Sequence, residues 1–226
     1  NIVAYLLDVD SPGGSGYVSD EILHYFNTEL DKPVYANFRS MADSGGYYIS
    51  CYSDKIYIDP TGITGSIGVI IQTMNFSGLL DKVGIEMTAV KSSEMKDLMS
   101  PYKPASDKEL EVLQELVDTH YDRFVSFVSQ GRGMSREEVV QFADGRIFTP
   151  ERALEFGLVD QIAHVDGVYE DIRSEHGDVS FVRYDRLPTL METLMHSVSR
   201  RTSFEERLLP YLAREGTPMV LYMFVN

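Results

Sequence analysis

The chain has almost no cysteine. Cys51 is its single one, so no disulfide can form within it. This says little about compartment, because an extracytoplasmic bacterial domain can also lack disulfides. The five histidines (His24, His120, His164, His176, His196) stand singly. No Cys/His cluster has zinc spacing, which argues against a metal site. Positive charge is scarce too. The net charge is −15, and phosphate binding needs a basic footprint, which argues against nucleic acid as a partner. No apolar run reaches the roughly 18 to 20 residues that a spanning helix needs. The longest late one, 219–225, is far too short. There are no internal repeats and no low-complexity tract.

What is present is the composition of a globular protein. Of the 226 residues, 43% are hydrophobic and 24% charged, enough to bury a core in one domain, or one domain plus an appendage. The chain opens on a buried-strand pattern at 2–7 with no signal peptide before it, and reads as a piece of a longer protein.

Strand and helix patterns then alternate. Strands are expected at 2–9, 33–38, 55–58, 69–72, 86–90, 146–148 and 180–184. Helices are expected at 18–30, 46–52, 77–83, 106–130, 135–142, 150–156, 166–175, 188–198 and 203–214. This alternation predicts an α/β fold with a mostly parallel sheet and crossover helices. Helix 18–30 places Ile22, Leu23, Phe26 and Leu30 on one face. Helix 106–130 carries Leu110, Leu113, Val117, Tyr121, Phe124 and Val128 at three- and four-residue steps, widened by Val112, Leu116 and Val125, as a core-facing stripe. Ser106 and Asp107 can cap its start, and Gly131 is expected to stop it. Cys51 is expected in the core.

Three small-residue stretches carry the chemistry. Asp10-Ser11-Pro12-Gly13-Gly14-Ser15-Gly16 is a loop whose N–H groups can face a ligand. It lacks the Gly-Lys-Ser/Thr ending of a phosphate loop. Ser44-Gly45-Gly46 sits on a strand-to-helix turn, where free N–H groups and the helix dipole favour the negative charge that a serine nucleophile builds. Taken alone it reads first as an ordinary helix cap followed by small residues for close packing. Thr64-Gly65-Ser66-Ile67-Gly68 is the third stretch.

A serine needs a base, and no histidine lies in a loop beside a motif. The chain has seven lysines, and Lys96 stands out: it follows a strand-like run, lies near small residues and precedes a Ser-Pro stop. A Ser–Lys dyad is a variant of triad logic. It requires a lysine whose pKa falls from about 10.4 by about 3 units, at a cost of roughly 4 kcal/mol. Burial can supply this if Glu94 and Asp97 point away. Ser93-Glu94-Met95-Lys96 also fits the Ser-x-x-Lys pattern of penicillin-binding enzymes, but neither Ser-Asp-Asn nor Lys-Thr-Gly occurs in the chain.

These stretches, with Met41-Ala42-Asp43-Ser44-Gly45-Gly46-Tyr47-Tyr48-Ile49-Ser50 and the run from Lys91 to Pro101, resemble the bacterial signal peptide peptidase (protease IV) family in its short form with one catalytic domain. Similarity covers about residues 2–165. The resemblance implies a Clp protease/crotonase-like fold and a serine endopeptidase, with Ser44 as nucleophile and Lys96 as general base. It implies an oxyanion hole from the N–H groups of Gly45 and Gly14 (or Gly13), and Ser66 orienting the lysine. It implies no metal or cofactor. Implied substrates are hydrophobic peptides, such as signal peptide remnants, bound as an added strand and cut after small residues. A homo-oligomeric ring is implied as well. So is a place at the bacterial cell membrane, the catalytic domain extracytoplasmic and membrane contact made through an anchor outside this chain.

Residues 1–165 are expected to form the catalytic domain, and 166–226 a helical extension with a possible oligomer contact. Asp43 departs from the family pattern, which has a small residue there. Two other classes stay open. A crotonase-like acyl-CoA enzyme would use the same loops on a thioester and leave Ser44 idle. A non-catalytic peptide-binding scaffold would account for Asp43.

Overall fold

Val34, Tyr35, Ala36, Asn37 and Phe38 begin the strand on which the sheet is built. The computed structural model describes residues 2–183, and those up to Gly177 belong to one compact unit. Its elements are β1 (Tyr5–Ser11), α1 (Gly16–Glu29), β2 (Val34–Asp43), α2 (Gly45–Ser50), β3 (Lys55–Ile58), β4 (Ile63–Gly65) and α3 (Ser77–Val83). A single 3₁₀ turn, Glu94–Asp97, precedes α4 (Asp107–Arg132), α5 (Arg136–Val140), β5 (Ile147–Phe148), α6 (Pro150–Glu155), β6 (Gln161–Ile162) and α7 (Val165–His176).

β2 is central. β1 runs parallel along one edge of it, from Tyr5 opposite Val34 to Ser11 opposite Ala42. The other edge is shared. β3 takes its first half, Tyr35 to Phe38, and β4 takes Met41 to Asp43. β6 extends the sheet beyond β3 in parallel, and β5 pairs antiparallel with β4. The sheet is therefore mostly parallel, as expected, and buried as such sheets are. The register carries a further feature. Val9 faces Phe38 but Ser11 faces Ala42, so β2 spends extra residues around Arg39–Ser40–Met41. Such a bulge bends a strand. It moves the end of β2 off β3 and onto β4, and it delivers Ser44 beyond the edge of the sheet.

The core lies between the sheet and α2 and α4. Phe38, Ile56, Ile58, Tyr47, Tyr48, Phe124, Val125 and Val128 are all buried in one cluster, and Cys51 is fully buried with them. Burial pushes the Cys51 thiol up to about 12, so it behaves as a small apolar side chain. On α1, Leu23 is buried while Ile22, Phe26 and Leu30 are half-buried. α7 is fastened to the sheet by polar groups. The Tyr35 hydroxyl donates to Glu175 at 2.6 Å, the Tyr57 hydroxyl donates to Asp171 at 2.7 Å, and Lys55 pairs with Asp171.

The longest helix differs from its pattern in two ways. Ser106 caps it in a full capping box with Glu109, as expected, but it runs through Gly131 and ends at Gly133, which has a left-handed φ of 64°. Gly131 is there for contact. A Cβ on it would stand 2.3 Å from the Cys51 carbonyl oxygen, so only glycine lets α4 lie against the end of α2. The apolar stripe is also split. Phe124, Val125 and Val128 are buried, whereas Leu110, Val112 and Leu116 are exposed.

Residues 69–72 and 86–90 do not form strands; Ile70 makes an isolated bridge and 86–90 is irregular. Both runs carry β-branched residues, but Ile70, Met87 and Val90 lie exposed, and β-propensity without burial against a sheet face does not make a strand. No strand forms over 180–183. The helices expected at 188–198 and 203–214 lie outside the described residues. Among the described residues, no helix is long and apolar enough to cross a membrane.

Candidate active site

Ser44 follows β2 directly and sits at the N-cap of α2 with φ 51° and ψ −116°. A positive φ on a non-glycine residue costs of order 1–3 kcal/mol and persists only where surroundings impose it. Here two hydrogen bonds do so. The Ser44 N–H donates to the Gly65 carbonyl at 2.8 Å, and the Ser44 carbonyl accepts from the Tyr48 N–H at 2.8 Å. The result is a sharp strand-to-helix elbow that is only 2% exposed.

The first glycine loop packs directly on this elbow. A Cβ on Gly13 would stand 2.5 Å from the Gly45 nitrogen and 2.8 Å from the Ser44 Cβ. A Cβ on Gly45 would stand 3.0 Å from the Gly14 nitrogen. Gly13 also has a φ of 102°. Of the two N–H groups expected to form an oxyanion hole, that of Gly45 follows Ser44 directly and that of Gly14 lies against Gly45. Neither donates a hydrogen bond to an acceptor among the described residues. Ser11 fixes the loop by accepting from the Gly13 N–H at 3.1 Å.

α2 is bolted down by the two tyrosines after the glycines. The Tyr47 hydroxyl donates to the Leu158 carbonyl at 3.0 Å, and the Tyr48 hydroxyl donates to Asp20 at 2.7 Å. Arg123 of α4 clamps the same Asp20 with two contacts of 2.8 Å. Ser11, Asp20 and Arg123 act as supports that the sequence does not announce equally. Ser11 lies within the glycine-loop motif and was findable there. Asp20 and Arg123 lie 28 and 103 residues from their partners Tyr48 and Asp20, with no local signal.

Ser66 follows Gly65, the residue that holds the Ser44 N–H. It has a φ of 49° and is half-buried. Lys96 is not joined to this cluster. It lies exposed on the 3₁₀ turn; its backbone N–H donates to the Ser93 carbonyl at 3.3 Å, but its ammonium makes no hydrogen bond or ion pair with a described residue. Its acidic neighbours are engaged elsewhere: Asp97 with Lys91 at 2.7 Å and Lys103 at 3.1 Å, Glu94 with Lys108 at 3.4 Å. Ser93 is exposed and precedes that turn, far in character from the elbow at Ser44.

Asp43, immediately before Ser44, is 7% exposed. Its Oδ1 is buried with no hydrogen-bond partner. Burial alone pushes its carboxyl up to about 6. Among the described residues, no cluster of three or more His, Cys, Asp and Glu side chains is placed to hold a metal ion.

The sequence profile of peptidase family S49 matches residues 27–179, a span that includes the Ser44 elbow. This chain belongs to peptidase family S49. A relative from Enterococcus faecium, named as a signal peptide peptidase, SppA, is 46% identical over 172 residues, covering 75% of this chain and 50% of its own length. A relative from Haemophilus influenzae named Protease 4 is 34% identical over 164 residues, covering 72% of this chain and 26% of its own. The chain thus spans half, or about a quarter, of the length of these two family members. Among solved structures, a ClpP1 mutant from Listeria monocytogenes superposes with a TM-score of 0.49 at 17% identity, covering 74% of this chain and 78% of that one.

Proposed function

We propose that the chain is the catalytic part of a serine endopeptidase that hydrolyses hydrophobic peptides, such as cleaved signal peptides. The observation that carries this reading is the Ser44 elbow at φ 51°, pressed under Gly13 and Gly14. In the proposed mechanism the Ser44 hydroxyl attacks the scissile carbonyl. The N–H groups of Gly45 and Gly14 hold the oxyanion, which is where preorganised donors contribute most. Lys96 takes the serine proton and returns it to the leaving amine, and water then hydrolyses the acyl-enzyme. Ser66 orients the lysine amine. The peptide lies extended as an added strand, with main-chain hydrogen bonds giving affinity.

Lys96 lies exposed, and a lysine serves as a base when it is desolvated, so it needs cover. We assign that cover to assembly of several copies. Leu110, Val112 and Leu116 on α4, and Met74, Leu79, Val83, Ile85 and Met87 between β4 and the 3₁₀ turn, are exposed apolar side chains. Neighbouring copies would take these apolar side chains out of water. The reading keeps the domain at the outer face of a bacterial membrane, tied there by an anchor outside this chain.

The test of the nucleophile is covalent. A fluorophosphonate probe is expected to label the protein once per chain, at Ser44 by peptide mapping. Labelling elsewhere, or equal labelling of Ser44→Ala, would remove the assignment. The assembly is tested by light scattering, where a mass several times that of one chain is expected and a monomer mass contradicts it.

A further inference from the structure

The turn that carries Lys96 is tied down by a chain of alternating charges. Lys91 donates to Asp97 at 2.7 Å and to the Glu94 carbonyl at 3.1 Å. Asp97 also pairs with Lys103 at 3.1 Å, and Lys103 reaches on to Glu109 at 2.5 Å. Glu109 is 2% exposed. It is the residue whose carboxylate closes the capping box of α4, accepting from the Ser106 N–H at 2.8 Å. The series Lys91, Asp97, Lys103, Glu109 therefore runs from the segment before the turn, through the turn, to the buried start of α4. Lys96 lies inside this series in sequence and takes no part in it.

The arrangement has an electrostatic consequence. Asp97 is the covalent neighbour of Lys96. A free carboxylate within about 4–6 Å of an ammonium favours the charged form by 1 to 3 pKa units, which would keep a lysine from acting as a base. With two lysines on its carboxylate, the charge of Asp97 is balanced and its direction is fixed. The lysines hold the Asp97 carboxyl below its usual range, and Lys103 does the same to Glu109.

We propose that Lys91 and Lys103 are positioning residues for the Lys96 base, occupying the Asp97 carboxylate so that the Lys96 amine stays unpaired. The proposal rests on the Ser44–Lys96 reading above. Each isolated ion pair of this kind adds little stability. The role of the series is to direct one carboxylate.

The experiment compares kcat/KM against pH for a small-residue peptide ester, using the whole chain. In Lys91→Met/Lys103→Met the acid-limb apparent pKa is expected to rise by about 1 unit, lowering kcat/KM about tenfold on that limb. Adding Asp97→Asn is expected to return the limb to its original position, and Lys91→Arg/Lys103→Arg to leave it there. If the methionine pair fails to fold, Lys91→Gln/Lys103→Gln carries the same comparison. An unmoved acid limb in the neutral pair overturns the proposal, even if activity falls evenly at all pH. Lys96→Ala, run beside them, separates the two failures. An inactive Lys96→Ala with an unmoved limb in the neutral pair leaves the dyad standing and removes only the role of Lys91 and Lys103. An active Lys96→Ala removes the dyad and this proposal with it.

Discussion

Ser44→Ala is expected to lower kcat/KM toward peptide esters by about 10⁴-fold or more, the range typical of losing a serine nucleophile. Its thermal stability should change little, because alanine meets the same strain at a φ of 51°. Ser44→Gly separates the two roles of the position. Glycine adopts positive φ without the Cβ penalty, although it adds freedom to the unfolded chain. Ser44→Gly is therefore expected to be as inactive as Ser44→Ala and more stable than it by about 1 kcal/mol. Urea unfolding of the two variants measures the difference. A glycine variant less stable than the alanine variant would mean that the elbow is not strained. A serine held in strain at the foot of two glycines is hard to explain as packing, since packing alone would favour glycine there.

The largest expected effect on stability belongs to Asp43. Its carboxyl is lifted from 3.8 to about 6 in the folded chain by burial. The folded protein then holds a proton that the unfolded chain releases between about pH 4 and pH 6. Stability from this group is full below pH 4, falls as pH rises through 6, and stays low above. At 1.36 kcal/mol per unit the loss is about 3 kcal/mol at most. Asp43→Asn keeps the volume and removes the charge. It is expected to match the natural protein near pH 4 and to be about 2–3 kcal/mol more stable at pH 8. The difference between the two unfolding curves isolates this group from Asp59, Asp97, Glu109 and Asp171, whose carboxyls are held low by hydrogen bonds and ion pairs and pull the other way. A difference that does not change with pH would mean that Asp43 finds a proton donor or a cation.

How much of this was legible in the sequence depended on how local the cause was. Ser44 and its flanking glycines lie within a few residues of one another, and the strand before them and the helix after them fix the turn, so the elbow could be read directly. Strand 55–58 and helix 77–83 were legible for the same reason. The bulge in β2 was not, because it is a mismatch between Val9–Phe38 and Ser11–Ala42, and register belongs to pairs of strands. Gly131 read as a stop because glycine ends helices, but its meaning lies 80 residues away at the Cys51 carbonyl. The split stripe of α4 shows the limit of periodicity. Leu110 and Phe124 share a face, yet one is 53% exposed and the other fully buried, since periodicity reports a face and not what covers it. The condition placed on Glu94 and Asp97, that they point away from Lys96, depends on Lys91, Lys103 and Lys108, and spacing alone carried no sign of those pairings.

The central claim is that Ser44 is driven by Lys96. The most direct test is the pH–rate profile of kcat/KM for a small-residue peptide ester, with Lys96→Ala measured in parallel. An acid-limb apparent pKa well below that of free lysine, about 10.4, is expected, with loss of that limb together with nearly all activity in Lys96→Ala. A profile that survives the substitution unchanged would show that another group is the base.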